Sequence, residues 1–73
     1  KCYPNPITTG YLKIESNQPI QLITVLNING QIVIQKPFLS NYKIDFELSD
    51  LQNGVYLVKV DGINSSNLIK IIK

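Results

Sequence analysis

Apolar and polar residues alternate along most of this chain, which is the pattern of a strand with one buried face. Residues 11–15, 42–48 and 68–73 alternate in this way, and β-branched residues are frequent throughout. The alternation predicts five inward-facing side chains in the first two segments: Leu12, Ile14, Ile44, Phe46 and Leu48. Residues 55–60 are apolar on both faces apart from Lys59, which predicts a central strand buried on both sides. No window of a dozen residues has the apolar spacing of an amphipathic helix, so the pattern predicts an all-β chain.

The dipeptide Asn29-Gly30 predicts a β-hairpin, because these residues tolerate the positive φ angles of a type I′ turn. Residues 20–28 and 31–36 form its two predicted strands. Residues 16–19 interrupt the alternation, and we expect them to end the strand that precedes the hairpin.

The two-residue loop also predicts the register of the hairpin. Val25 is expected to oppose Ile34, and Asn27 to oppose Ile32. Four apolar side chains then share the face assigned to the core: Ile23, Val25, Ile32 and Ile34. The opposite face mixes apolar and polar residues, so it is either covered by another segment or partly exposed.

The connection at residues 37–41 is expected to close one end of the core with Phe38 and Leu39. Six or seven short strands with turn signals between them indicate two antiparallel sheets packed as a sandwich. The chain has no internal repeat, linker or low-complexity tract. Residues 1–73 are therefore expected to form one domain.

Residues 49–54 predict a tight corner between two strands. Gly54 is expected to permit the sharp return of the chain into the central strand. Tyr56 is expected to pack in the core while its hydroxyl reaches a backbone group near the corner. These residues are thus predicted to stabilise the fold, and to contribute to recognition only through the fold.

The charged residues exclude several classes of function. The 73 residues carry a net charge of +2, and all seven basic residues are Lys. Nucleic-acid-binding proteins rely on Arg for phosphate and guanine contacts, so this balance argues against a nucleic-acid partner. The absence of His excludes a His base and the usual zinc sites. The single Cys2 cannot form an intramolecular disulfide, and an inert residue is the favoured interpretation.

The carboxylates Asp45 and Glu47 share the outward face of one predicted strand, and two acids can serve a hydrolase. Lys43 lies beside them on the same strand face. A solvated face of mixed charge is therefore favoured over a catalytic pair.

Two further sets of residues have both a ligand-binding and a structural interpretation. Asp61, Asn64 and Asn67 offer oxygens to calcium, but one carboxylate with two amides carries too little charge for a strong site. The four Tyr residues, Tyr3, Tyr11, Tyr42 and Tyr56, offer rings to a sugar or a base, and Tyr11 and Tyr42 are expected to face outward. A Tyr on a strand more often packs, however. No cofactor is predicted.

The C-terminal segment, residues 67–73, has two interpretations of equal weight on physical grounds. Alternation places Ile69, Ile71 and Lys73 on one face and Leu68, Lys70 and Ile72 on the other. Lys on an edge strand discourages edge-to-edge aggregation. A receptor can also capture such a strand by extending its own sheet.

Four motifs occur in order along the chain: Tyr3-Pro4-Asn5-Pro6 followed by Gly10, the Asn29-Gly30 turn, the block of residues 48–60, and the ending Lys70-Ile71-Ile72-Lys73. Together they resemble the type A C-terminal sorting domain of cargo exported by the Gram-negative type IX secretion system. The likeness covers nearly the whole chain. It implies structural roles for a set of motif residues: Pro4, Asn5, Pro6, Gly10, Asn29, Gly30, Leu51, Gly54 and Tyr56.

The resemblance implies an immunoglobulin-like sandwich of about seven short strands at the end of a larger, signal-peptide-bearing precursor. Such a domain is not an enzyme and does not insert into the membrane. It folds in the periplasm, and an outer-membrane translocon recognises it. A sortase-like peptidase commonly removes it at the surface, where the cargo stays or is released. The residues expected to be recognised are Lys70, Ile71, Ile72 and Lys73.

The alternative function is a binding module of immunoglobulin or fibronectin type beside a secreted hydrolase. Such a module would grip a glycan through Tyr11 or Tyr42. An unguarded strand edge also leaves open a dimer of the isolated domain.

Overall fold

The computed structural model describes the backbone of Cys2–Tyr3 and all of residues 10–73. The described residues contain no helix. They form five antiparallel strands: β1 (Cys2–Tyr3), β2 (Tyr11–Asn27), β3 (Ile32–Glu47), β4 (Val55–Gly62) and β5 (Ser66–Ile72). The all-β prediction is confirmed. The expected roles of Pro4, Asn5 and Pro6 concern residues outside the described part of the chain.

The predicted number of about seven strands is wrong because β2 and β3 each span two predicted strands. β2 has 17 residues and β3 has 16. Residues 16–19 and 37–41 stay within their strands instead of ending them, although Ser40 has a left-handed φ of 61°. The cross-strand pairing is nevertheless broken at both places, with shifts of register between Glu15 and Leu22. The turn residues therefore bend the strands without ending them.

The bend folds the long β2–β3 hairpin over on itself. A straight strand of 17 residues would be about 56 Å long. The longest dimension of the molecule is only 30 Å. Pro19 has no backbone N–H to donate, and the Gln18 N–H donates instead to Ser16 Oγ at 3.1 Å. The ladder is thus weakest where the hairpin bends.

Folding of the hairpin produces two layers. In the first layer, the first half of β2 pairs with β1 on one side and with the second half of β3 on the other. In the second layer, the second half of β2 lies between β3 and β4, and β5 follows β4 at the edge. The architecture agrees broadly with an immunoglobulin-like sandwich.

The core lies between the layers and takes side chains from both. Its buried apolar residues are Leu12, Ile14, Ile20, Ile23, Val25, Ile44, Phe46, Leu48, Tyr56, Val58, Val60 and Ile71. The inward positions predicted for residues 11–15 and 42–48 are all in this set. Phe38 packs against the core, with its ring centroid 6.4 Å from that of Phe46. Leu39 was predicted to join it, but its side chain is 96% exposed.

Of the two residue pairs predicted for the β2–β3 hairpin, one is confirmed and one is wrong. Val25 opposes Ile34, but Ile32 opposes Leu26 and not Asn27. The extra residue on β3 turns Ile32 away from the core, and its side chain is 58% exposed. The prediction that Ile32 lies in the core is therefore wrong.

The physical reason is the conformation of the turn. Gly30 N–H donates to Asn27 O at 3.0 Å, and Asn27 N–H donates to Gln31 O at 2.9 Å. Within the turn only Gly30 has a positive φ, of 82°. This is a three-residue loop closed by a left-handed glycine, not a type I′ turn. Asn27 Oδ1 accepts the N–H groups of Asn29 and Gln31, which stabilises the longer loop.

The prediction for residues 55–60 is also only partly correct. β4 is a central strand, since it pairs with β2 and with β5. Tyr56, Val58 and Val60 are buried on one face. On the other face Lys59 is exposed and Val55 is 37% exposed, so the strand is not buried on both sides.

Candidate functional site

The motif residues within the described chain meet at one end of the sandwich, here called the motif end. It comprises Gly10, residues 48–54, Tyr56, the turn at residues 27–31, and Lys73. Asn27 pairs with Tyr56, which brings the hairpin turn beside the start of β4. Leu48 N–H donates to Gly10 O at 2.7 Å, which joins the start of β2 to the corner. Motifs far apart in the sequence therefore form one structural unit.

Gly10 has a conformation that other residues rarely adopt. Its φ is +85°, in the left-handed region. A Cβ at this position would lie 3.2 Å from Ser49 Cβ, which is a tight contact. Both backbone conformation and space therefore favour glycine where the corner packs on the start of β2.

The corner at residues 48–54 contains a turn and a tyrosine hydrogen bond. Leu51 N–H donates to Leu48 O at 3.1 Å, and the Leu51 side chain packs against the core. The Tyr56 hydroxyl donates to Gln52 O at 2.7 Å, while its ring is buried. The predicted contact of Tyr56 with the backbone near the corner is thus present.

The predicted reason for Gly54 is not supported by its geometry. Its φ lies outside the left-handed region. A Cβ at Gly54 would meet Tyr56 Cε2 at 4.0 Å, which is ordinary contact distance. The corner therefore does not require glycine at this position for space or for φ.

Lys73 connects the end of β5 to the corner. Its N–H donates to Gly54 O at 2.8 Å, and Gly54 N–H donates to Lys73 O at 3.0 Å. Its Nζ donates to Ser49 O at 3.1 Å and also to Leu51 O. The ammonium thus donates to two carbonyl oxygens of the turn, and the Lys73 side chain is half-buried. The sequence pattern did not reveal this contact.

The four C-terminal residues occupy three different environments. Ile71 is fully buried in the core. Lys70 is exposed, and Ile72 is 46% exposed on the same outer face. Lys73 faces the corner. The structure therefore places Lys70 and Ile72 where a partner can reach them, and Ile71 and Lys73 where they hold β5 in place.

The carboxylates considered for catalysis have structural partners. Lys13 Nζ lies 3.8 Å from Asp45 Oδ1, and both side chains are exposed. The Ser49 hydroxyl donates to Glu47 Oε2 at 2.8 Å. These contacts fit a solvated strand face of mixed charge.

The residues considered for calcium include a single carboxylate, Asp61, and those considered for a glycan lie apart. Among the described residues, no three His, Cys, Asp or Glu side chains are grouped as a metal would require. Tyr11 and Tyr42 are both exposed, as predicted. Tyr11 opposes Glu47, five residues from Tyr42 along β3, so the two Tyr lie about 17 Å apart. They do not form one stacking platform.

A groove of about 300 Å³ lies between the layers, lined by residues 14–16, Val60 and residues 67–69. Among the described residues that line it, Glu15 is the only one with a carboxylate. No helix formed by the described residues is long and apolar enough to cross a membrane.

These features define a class of protein: a small antiparallel sandwich whose motif residues build one end and whose C-terminal strand lies at an edge of the sheet. A family model for the secretion system C-terminal sorting domain matches residues 1–73. The chain belongs to this family, that of the type IX secretion sorting domains. Comparisons with curated proteins and with solved structures gave no match.

Membership establishes the general role of the chain. The family is one of sorting signals and not of enzymes. The chain is a C-terminal sorting signal of the type IX system, in the context of a cargo fused to its N-terminal side. It serves secretion across the outer membrane to the cell surface or the outside.

Proposed function

We propose that residues 1–73 form one domain at the end of a larger precursor, and that the outer-membrane translocon recognises this domain after it has folded in the periplasm. Lys70 and Ile72 are the exposed part of the tail that makes contact. A sortase-like peptidase then cleaves the chain on the cargo side at the cell surface. The observation that carries this proposal is the family match over the whole chain.

The arrangement of the tail supports recognition of a folded domain. Ile71 and Lys73 fix β5 to the core and to the corner. β5 then presents Lys70 and Ile72 from a rigid edge strand, and little conformational entropy is lost when a partner binds. An unfolded tail would lose more conformational entropy when a partner binds.

The test is an export assay in a host with a working type IX system. A reporter with a signal peptide is fused ahead of residues 1–73, and the same reporter without the domain is the control. We expect reporter at the surface or in the medium only with the domain, and periplasmic reporter when the host lacks the translocon. Reporter retained in the periplasm by both fusions, with the domain folded, would contradict the sorting role.

The same samples test the finer steps. Protease resistance of the domain in the periplasm of a translocon-deficient host tests folding before export. A reporter at the surface without the mass of the domain indicates cleavage. A surface reporter that keeps the full mass would contradict proteolytic removal.

A further inference from the structure

We propose that the outer face of β4 and β5 is the surface that binds the secretion partner, and that this partner presents apolar side chains flanked by carboxylates. This inference rests on the proposed function, because it names the surface used by the same sorting signal. The face, here called the outer apolar face, comprises Leu26, Ile32, Val55, Leu57, Leu68 and Ile72. Lys59 and Lys70 lie among these residues.

Cross-strand pairing brings these residues onto one face, where Lys59 and Lys70 lie between Leu68 and the other apolar residues. Leu57 is opposite Leu26 on one side and Lys70 on the other, and Leu26 is opposite Ile32. Val55 is opposite Ile72 in the same way. Directly opposite Cβ atoms in antiparallel strands are about 5 Å apart, so the side chains touch across the strands.

The patch is exposed to an extent that a structural role does not explain. Leu68 is 61% exposed and Ile72 is 46% exposed. The outward face of a sandwich is ordinarily polar, because it contacts water. Several exposed apolar residues on one face mark an interaction site more often than solitary exposed residues do.

The charges on the face indicate the chemistry of its partner. Lys59 is opposite Leu68, and Lys70 is opposite Leu57, so the two Lys are diagonal neighbours about 7 to 8 Å apart. Asp61, at the far end of β4, is the one acidic residue in β4 and β5. A partner with carboxylates beside its apolar residues has charges complementary to both Lys.

Two other occupants fit the face less well. A second copy of the chain, docked face to face, would bring four Lys together, and this repulsion opposes a dimer. An anionic membrane would gain only about 1 kcal/mol from each of two Lys. We therefore favour a protein partner.

The test compares matched variants in the reporter fusion described above. Leu68→Ser and Lys70→Glu alter the outer apolar face. Leu39→Ser and Lys43→Glu make the same changes at exposed sites elsewhere, since Leu39 is on a bulge and Lys43 is in the other layer. We expect the exported fraction to fall about tenfold for each face variant and less than about twofold for each control.

Folding and contact are measured in parallel. Each variant must resist protease as the unmodified fusion does. If Leu68→Ser is degraded, the exported fraction of Lys70→Glu alone tests the proposal. A photoreactive amino acid at position 68 should give a cross-linked protein adduct during export that Lys70→Glu removes. The same amino acid at position 39 should not give this adduct.

The outcomes separate the two proposals. An unmodified fusion that stays in the periplasm overturns the sorting role and this surface together. Export of the face variants at the unmodified level overturns the surface alone, as does equal loss in face variants and controls. Binding of the fusion to phosphatidylglycerol vesicles, abolished by Lys70→Glu, would assign the face to a membrane. If sedimentation detects dimers of the fusion and Leu68→Ser dissociates them, the outer apolar face binds a second copy of the chain.

Discussion

Replacing Lys73 with Met should destabilise the domain, although Lys73 lies outside β5. The substitution removes the ammonium that donates to Ser49 O and Leu51 O. Met keeps an unbranched apolar stem of similar length, so packing along the stem changes little. The measured effect therefore reports mainly the two hydrogen bonds.

The size of the effect follows from the kind of bond and its exposure. A hydrogen bond from a charged group contributes about 1.5 to 3 kcal/mol when it is shielded from water. Lys73 is half-buried, and its bond to Ser49 is exposed. We therefore expect a loss of about 1 to 1.5 kcal/mol for the two together. In a domain of this size, that corresponds to a fall in Tm of about 4 to 10 °C.

The assay is thermal and urea unfolding of the domain, followed by far-ultraviolet circular dichroism. Lys70→Met is the matched control, because Lys70 is exposed on β5 and the change should shift stability by less than about 0.5 kcal/mol. Hydrogen exchange gives a local measurement. The Gly54 amide donates to Lys73 O and should exchange faster in Lys73→Met than in Lys70→Met.

Equal melting of the Lys73 and Lys70 variants, with unchanged exchange at Gly54, would refute the reasoning. The ammonium would then contribute nothing to the corner. A Lys73 variant that retains full stability but loses export would instead show that a partner reads this residue directly.

Four further substitutions test the motif end and the core by urea unfolding. Gly10→Ala should lower the free energy of unfolding by about 1 to 2 kcal/mol, because Gly10 has a positive φ. Gly54→Ala should change the free energy of unfolding by less than about 0.5 kcal/mol. A larger loss for Gly54→Ala than for Gly10→Ala would disprove the assignment of the corner. Tyr56→Phe should cost about 1 kcal/mol through the lost bond to Gln52 O, and an unchanged midpoint would show that water replaces it. Ile71→Ala should cost about 2 to 5 kcal/mol, more than Lys73→Met, because Ile71 is fully buried.

Alternation of apolar residues predicted most of the core. It placed Leu12, Ile14, Ile44, Phe46 and Leu48 inward, and all five are buried. It also divided the side chains of β5 correctly between two faces. Side-chain period is a local property of a strand, so the sequence determines it directly.

Local patterns failed where the outcome depended on distant contacts or on turn geometry. The residues around Pro19 look like a break, yet packing of the folded hairpin keeps them extended. The loop that ends at Gly30 is one residue longer than predicted, because Asn27 accepts hydrogen bonds from its amide groups. The longer loop places the Ile32 side chain on the face opposite to the predicted one. The contact of Lys73 with the corner joins segments 22 to 24 residues apart, and no local pattern signals it.

The contact between Lys73 and the corner links the integrity of the chain to the shape that it presents. A chain that ends before Lys73 lacks the backbone pair to Gly54 and the ammonium for the carbonyls of Ser49 and Leu51. Its motif end would be left incomplete even if every earlier residue were correct. A translocon that selects the folded end would thereby discriminate against truncated cargo without inspecting the cargo itself.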